Sequence, residues 1–384
     1  MKIERVECAW LKMKLPQPRG LSIGPITHSS DAVCRIMTSG GLVGIGESRG
    51  SPLDEICQII DTVFKPLLIG AHAAETEFLW ARMHEALLGP SQTSKWKPRT
   101  VLAAIAAVDM ALWDIKARAA KLPLFQLLGG HRRPIPAYLS EGFYSDTDPL
   151  EQVAHEAAQG VAEGGYTKLK VRIGRDPHDD VTRLRAFRKA VGDKVDILVD
   201  INLMWDLDQA RRTLPLLEEF NLFWLEEPGN VRDRKGDFSA PDRLMGQIAA
   251  LTKIPLALGE NHETLAQCRS AVENAPVRYM QFDAIKNGGV TEFLRVAALC
   301  LAHGVPMAPH HVAHFHVQLA AAAPNGLMVE TFVNARQHVA WPDLFPGYPR
   351  IRDGHMILPE GPGWGLGVND DLIRRHGTKV CWGG

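Results

Sequence analysis

What the chain lacks narrows its function first. No apolar run approaches the roughly 18 residues that a helix needs to cross a bilayer. The start, MKIERVECAWLKMKL, is charged and alternating, unlike an apolar export signal. Neither export nor a membrane partner is expected, and the expected location is the cytoplasm. Cysteine is scarce: Cys8, Cys34, Cys57, Cys268, Cys300 and Cys381 show no C-x-x-C pair and no dense spacing. Neither a disulfide framework nor a zinc knuckle is predicted. No sign of charge is in excess, since 43 Lys and Arg face 44 Asp and Glu for a net of -1, and no field draws nucleic acid to the surface. What is present, 46% hydrophobic and 23% charged residues, is the composition of an ordinary globular protein. A length of 384 residues suits two or three domains, or one large barrel with additions. A small-molecule ligand fits these limits.

Residues 1–125 read as a separate α+β domain. IERVECAWLKMKL and AVCRIMTSGGLVGIGE alternate like antiparallel strands with a turn signal at Gly40-Gly41. Helical patterns follow, ending in RTVLAAIAAVDMALWDIKARAA with apolar residues at i, i+3 and i+4. From residue 126 to 345 short apolar runs alternate with amphipathic helical segments. The runs are IPAYLSEGF, YTKLKVRIG, VDILVDIN, LFWLEEP, IPLALGEN, RYMQFDAI, GVPMAPHH and GLMVETFV. Eight strand-then-helix units predict a closed (β/α)8 barrel. An open doubly wound sheet is disfavoured because neither G-x-G-x-x-G nor a P-loop follows its first strand. Residues 346–384, rich in Gly and Pro with a strand signal at HMILP, are predicted to return to the N-terminal domain and complete it as a cap.

Barrel enzymes carry their chemistry at the C-terminal strand ends. Here those ends hold Lys170 and Arg172, Asp200 and Asn202, Glu226 and Glu227, Glu260 and Asn261, Asp283, His310 and His311, and Glu330. Asp200, Glu226 and Glu260 end three consecutive strands. Three converging carboxylates would repel unless neutralised, and three hard oxygen ligands on rigid strands describe a Mg2+ site with positions left for water and substrate. Strand alternation decides which of Glu226 and Glu227 points inward, and the sequence alone leaves that choice open. Lys170 and Arg172, two apart, share a face on one flank. On the other flank Asp283 and His310 end neighbouring strands, so a carboxylate can orient an imidazole as general base. A metal polarising a carboxylate between such groups suits removal of the adjacent proton to give an enediolate.

These residues sit in text that resembles the mandelate racemase subgroup of the enolase superfamily: VDMALWDIKARAAKLPLFQLLGG, GYTKLKVRIG, LVDIN, WLEEP, LGEN, FDAIKNGGVTE, HH and VETF. The resemblance runs through most of the chain and implies the barrel with its cap. It assigns Mg2+ to Asp200, Glu226 and Glu260, the acid–base dyad to His310 and Asp283, and a substrate-carboxylate contact to Glu330. The family's Lys-x-Lys motif, anchored by Gly165-Tyr166 and Gly174, falls on Lys170 and Arg172. The rival register Lys168-x-Lys170 loses both anchors. Arginine at the second position is a poor proton acceptor at neutral pH. Racemisation needs a base on both faces, whereas dehydration of a hydroxy acid needs one base and an acid. The expected activity is therefore dehydration of an acid sugar to a 2-keto-3-deoxy acid, with a racemase or epimerase as the alternative and a small carboxylate as the partner. A homo-oligomer is expected.

Asn202, Asn261, His311 and Lys286 are read as substrate contacts. Two polar stretches of the cap, PQPRGLSIGPITHSS and SQTSKWKPRTV, are read as loops closing over the barrel mouth, with Arg19 and His28 as further substrate contacts. His314 and His316 are read as packing residues. A zinc site built on this histidine cluster is disfavoured, because IPAYLSEGF lacks the H-x-H that barrel zinc hydrolases carry on their first strand.

Overall fold

The structure, a computed structural model, describes residues 1–50, 52–229, 239–333 and 341–383. The inserted stretch after the fourth barrel strand, GNVRDRKGDFSA, lies largely outside the described residues. The N-terminal part is a four-stranded antiparallel sheet made of β1 (Ile3–Leu21), β2 (Gly24–Thr38), β3 (Val43–Ser48) and the C-terminal β13 (Gly377–Cys381), in the order β13-β1-β2-β3. The β2–β3 turn falls where Gly40-Gly41 predicts it. Gly41 adopts φ 77, and the turn closes with Thr38 N–H donating to Leu42 O. The long helix Pro98–Ala119 lies on this sheet and is buried along almost its whole length. Its small residues allow a close approach: a Cβ on Gly46 would stand 2.0 Å from Ala107 O, so only glycine fits there.

The barrel follows as β4 (Ile135–Gly142), β5 (Lys168–Arg172), β6 (Asp196–Asp200), β7 (Leu225–Glu226), β8 (Leu256–Leu258), β9 (Val277–Met280) and β10 (Val329–Thr331), with β10 pairing back to β4 in parallel. The seventh run, GVPMAPHH, forms no regular strand. Met307 alone bridges Met280 on one side and Gly326 on the other, through Ala308 N–H to Met280 O and Leu327 N–H to Met307 O. Pro306 and Pro309 flank it and lack the N–H donors that a longer ladder needs. Inside the barrel Tyr138, Leu198, Trp224, Ala257, Ala308 and Met328 form an apolar layer. They make the floor on which the polar strand ends stand. Some helices begin at side-chain caps, such as the reciprocal capping box of Asp206 and Gln209 at the start of Leu207–Leu217.

The C-terminal segment divides its pairing. The short hairpin β11 (Ile351–Arg352) and β12 (His355–Met356) joins the barrel, with His355 opposite Pro136 and Met356 opposite Ile135. The HMILP strand signal thus belongs to the barrel, where it covers the part of β4 that extends past β5 and β10. The return to the cap is made by the helix Asp370–His376 and β13 (Gly377–Cys381), which pairs antiparallel with β1.

The cap sits on the barrel through directed polar contacts. Asp109 accepts hydrogen bonds from Thr291 N–H at 3.0 Å and Thr291 Oγ1 at 2.7 Å. Gly289, φ 81, lies so close that a Cβ would stand 2.5 Å from Asp109 Oδ2. His314 and Glu47, both fully buried, pair across the seam at 2.8 Å. The stretch 16–30, read from the sequence as a loop, is instead the far end of the β1–β2 hairpin. Backbone bonds between Gly20 and Tyr144 clip this ribbon to the segment that follows β4. No helix among the described residues is long and apolar enough to cross a membrane.

Candidate active site at the mouth of the barrel

Strand register brings the charged residues together. Arg172 stands opposite Asp200, and Asp200 opposite Glu226, on adjacent parallel strands. Lys168, Lys170 and Arg172 share the inward face of β5, but at different heights. Lys168 is spent near the floor, 2.8 Å from Asp196 and over the Phe223 ring. Lys170, fully buried, places Nζ 2.7 Å from Glu226 Oε1, 2.8 Å from Glu330 Oε1 and 3.8 Å from Asp200 Oδ2. Arg172 donates to Ser140 Oγ, and its guanidinium packs over Phe143. It stands 3.6 Å from Asp200 Oδ2 and 3.7 Å from Glu330 Oε1.

The choice the sequence left open is settled by alternation. Glu226 points inward and accepts the Trp224 Nε1–H at 3.1 Å, while Glu227 turns away to accept Gly259 N–H at 3.0 Å. Asn202 donates to Asp200 Oδ2 at 3.0 Å and accepts Ser22 N–H at 3.3 Å, tying that carboxylate to the ribbon. Asn261 donates to Glu260 Oε1. These two asparagines therefore orient carboxylates as well as facing the cavity.

His310 holds the other flank. Its Nδ1 is 2.8 Å from Asp283 Oδ2 and its Nε2 is 2.6 Å from Glu260 Oε2. Lys286 Nζ approaches Asp283 Oδ2 at 3.2 Å and His310 Nδ1 at 3.4 Å. His311 donates its backbone N–H to Glu330 Oε2 at 2.8 Å. Both Glu330 oxygens are thus engaged by protein, one by Lys170 and one by His311. The His311 ring is met by Arg49 Nη1, 2.7 Å from Nδ1. Arg49 reaches the site from the end of the cap sheet and escaped the sequence reading, because barrel alternation says nothing about cap residues. His28 faces the cavity with Nδ1 bonded to Thr27 Oγ1. The Arg19 side chain lies outside what the structure describes.

The electrostatics are those of crowded charge. Burial, then the neighbouring Asp200, pushes Glu226 up to about 8 against the pull of Lys170. Asp200 is raised chiefly by burial, with Lys170 and Arg172 opposing. Burial also opposes ionisation of Glu330, but Lys170, His310 and Arg172 hold it down at about 2. Burial works against charge on Lys170, yet Glu226 and Glu330 overcome it and fix the ammonium form. His310 resists charge through burial, but Glu260 and the hydrogen bond to Asp283 lift it to about 9.

Among the described residues no three His, Cys, Asp or Glu side chains form a ready cage. Instead, Lys170 bridges Glu226 and Glu330, and His310 bridges Glu260 and Asp283. The donor chemistry nevertheless fits a divalent cation. Asp200, Glu226 and Glu260 are three carboxylates within mutual electrostatic reach, and burial and like charge raise two of them. Relief of that repulsion is what a hard cation with oxygen ligands supplies.

Above these groups opens a cavity of about 1160 Å³. The ribbon supplies an apolar wall of Leu15, Leu21, Ile23 and Ile26, and the start of the long cap helix adds Lys97 and Arg99. Arg99 is paired with Glu263 at 2.7 Å.

Comparison with known proteins shows the family. Models of the mandelate racemase/muconate lactonizing enzyme N-terminal domain and of the enolase C-terminal domain-like region match residues 5–129 and 152–372. An arabinonate dehydratase of Saccharolobus solfataricus is 30% identical over 366 residues, 93% of each chain. A 3,6-anhydro-alpha-L-galactonate cycloisomerase of Streptomyces coelicolor is 30% identical over 386 residues, 97% of this chain and 99% of the other. An L-talarate/galactarate dehydratase of Salmonella typhimurium LT2, solved with magnesium and L-lyxarohydroxamate, is similar at a TM-score of 0.85 and 28% identity, covering 98% of this chain and 93% of that one.

Proposed function

Because the chain belongs to the mandelate racemase/muconate lactonizing enzyme family of the enolase superfamily, we propose that it is a Mg2+-dependent acid-sugar dehydratase. Asp200, Glu226 and Glu260 are the residues that would hold the metal. When bound, Mg2+ supplies positive charge opposite the substrate carboxylate as negative charge develops there.

The observation that carries the reading is the asymmetry of the two flanks. On one side His310 has Nδ1 committed to Asp283, so Nε2 is the atom that takes the α-proton, and Glu260 Oε2, 2.6 Å away, is the group that must yield. On the other side Lys170 is locked as an ammonium between two carboxylates and its neighbour is Arg172. That side is built to stabilise anions, and Arg172 is a poor proton acceptor. One base and no partner base suit elimination. The α-proton goes to His310 Nε2, the electron pair of the broken C–H bond expels the β-hydroxyl, and the imidazolium returns a proton to the leaving oxygen as water. Tautomerisation of the enol gives the 2-keto-3-deoxy acid. The arabinonate and talarate/galactarate dehydratases among its relatives support this direction.

The second reading, a racemase or epimerase, draws on Lys170, which faces the same cavity. It requires that amine to lose its proton beside Glu226 and Glu330. A screen of acid sugars with and without Mg2+, scored for 2-keto acid, tests the proposal. Keto acid from at least one sugar, abolished by EDTA and restored by Mg2+, is expected; metal-independent product overturns it.

A further inference from the structure

His316 looks from the sequence like a packing residue, and its surroundings assign it more. It lies in the first turn of the helix Ala313–Ala322, directly behind the two strand ends that carry His310 and Asp283, and it is fully buried. Its Nδ1 faces His311 O at 3.1 Å, and its Nε2 receives Ala284 N–H at 3.2 Å. A carbonyl only accepts and an amide N–H only donates, so both bonds exist together only in the neutral tautomer with the proton on Nδ1. Burial favours the same neutral form. Phe293 stacks against the ring with centroids 6.5 Å apart, which fixes its plane.

The two bonds land on special backbone. Ala284 follows Asp283, and His311 follows His310. His311 adopts φ 61 and Val312 φ 25, conformations that a β-branched residue such as valine avoids unless its surroundings hold it there. The turn is restrained by Glu330 through His311 N–H, by Arg49 through the His311 ring and by His316 through His311 O. Of these only His316 also grips the Asp283 strand end. It therefore spans the two halves of the dyad.

We propose that His316 is a positioning residue, a brace that sets the His310–Asp283 distance by clasping the backbone immediately after each. The inference rests on His310 acting as the base. Its consequence is selective: loss of the brace lowers proton transfer without weakening the metal or substrate site.

The test compares His316→Phe, which keeps a ring and removes both bonds, with His316→Gln, whose amide keeps a donor and an acceptor. Two readouts are taken on the Mg2+-loaded protein. The first is exchange of the substrate α-proton with solvent deuterium. The second needs no substrate: the downfield proton resonance of the His310–Asp283 hydrogen bond, assigned by its loss in Asp283→Asn. His316→Phe should lose the resonance and slow exchange about 100-fold, the scale of a misplaced reacting group, with KM and Mg2+ affinity within threefold of wild type. His316→Gln should keep the resonance and recover most of the rate. A His316→Phe protein with intact resonance and normal exchange overturns the proposal, as does equal impairment of both variants. If His316→Phe does not fold, His316→Gln decides alone: a retained resonance and near-normal rate support the brace, and their loss refutes it. A wild-type enzyme that neither exchanges the α-proton nor forms 2-keto acid contradicts the assigned function instead, while the resonance still reports on the brace.

Discussion

The molecule buries carboxylates in two places, between cap and barrel and at the barrel mouth, and treats them differently. At the seam, apart from Glu47 with His314, they are held mainly by amides and a hydroxyl that cannot leave. Asp109 is held by the amide and hydroxyl of Thr291, and Asp114 by the amides of Ile45 and Trp364 and by Arg118. At the mouth Asp200, Glu226, Glu260 and Glu330 lean mainly on side chains that carry charge themselves, Lys170, Arg172 and His310. Burial raises proton affinity in both places, taking Asp109 to about 7 and Glu226 to about 8. The difference lies in the partner. Backbone amides make a joint, whereas ionisable side chains can exchange one another for a metal and a substrate.

The contrast breaks most visibly at Glu226. Glu226→Gln should lower kcat/KM by at least about 1000-fold, since charge stabilisation of this kind is worth several kcal/mol. Its thermal midpoint should hold or rise, because a repelling carboxylate is gone. Full turnover of the EDTA-treated variant would remove the metal assignment. His310→Asn comes next. Exchange of the α-proton should fall by about 100- to 10,000-fold, the usual contribution of a general base, while Mg2+ titration by calorimetry stays near wild type. Normal exchange in that variant would move the base to Lys170 or His311.

At the seam the expected effects are on stability. Asp109→Ala leaves the buried Thr291 amide without its acceptor and should destabilise the protein by about 1–3 kcal/mol in urea unfolding, with turnover per folded molecule unchanged. A loss of kcat at full stability would erase the distinction drawn here. The last effect is a pH slope. Asp109 binds its proton more tightly folded than unfolded, so its contribution is full below about 4 and is lost as pH rises toward about 7. Asp109→Asn should flatten that part of the stability profile; an unchanged slope would show that the carboxyl is ionised throughout.

The same division explains how much was legible in the sequence. Strand ends such as Asp200, Asp283 and His310 are readable because barrels place chemistry there and side chains alternate along a strand. Glu226 against Glu227 was readable only through the family resemblance, since alternation needs a register and the sequence offers no fixed origin for one. The seventh strand was read too long because its apolar residues outweighed Pro306 and Pro309, which deny it hydrogen bonds. The 16–30 stretch was read as a loop for its polar and turn residues, although pairing between its two halves makes it a ribbon. Arg49 reaches the His311 ring from the cap and His316 reaches the backbone beside the dyad from a helix, and no spacing rule within the strands points to either.

Central to the account is a site with one working base. The direct test is to incubate the acid sugar that turns over with enzyme and Mg2+ in deuterium oxide, following the keto acid and the configuration at the α-carbon of the remaining substrate. The account predicts keto acid from one diastereomer, with no epimer accumulating at any time. Epimer forming as fast as keto acid, or without it, would show that the Lys170 and Arg172 side also moves protons and would contradict it.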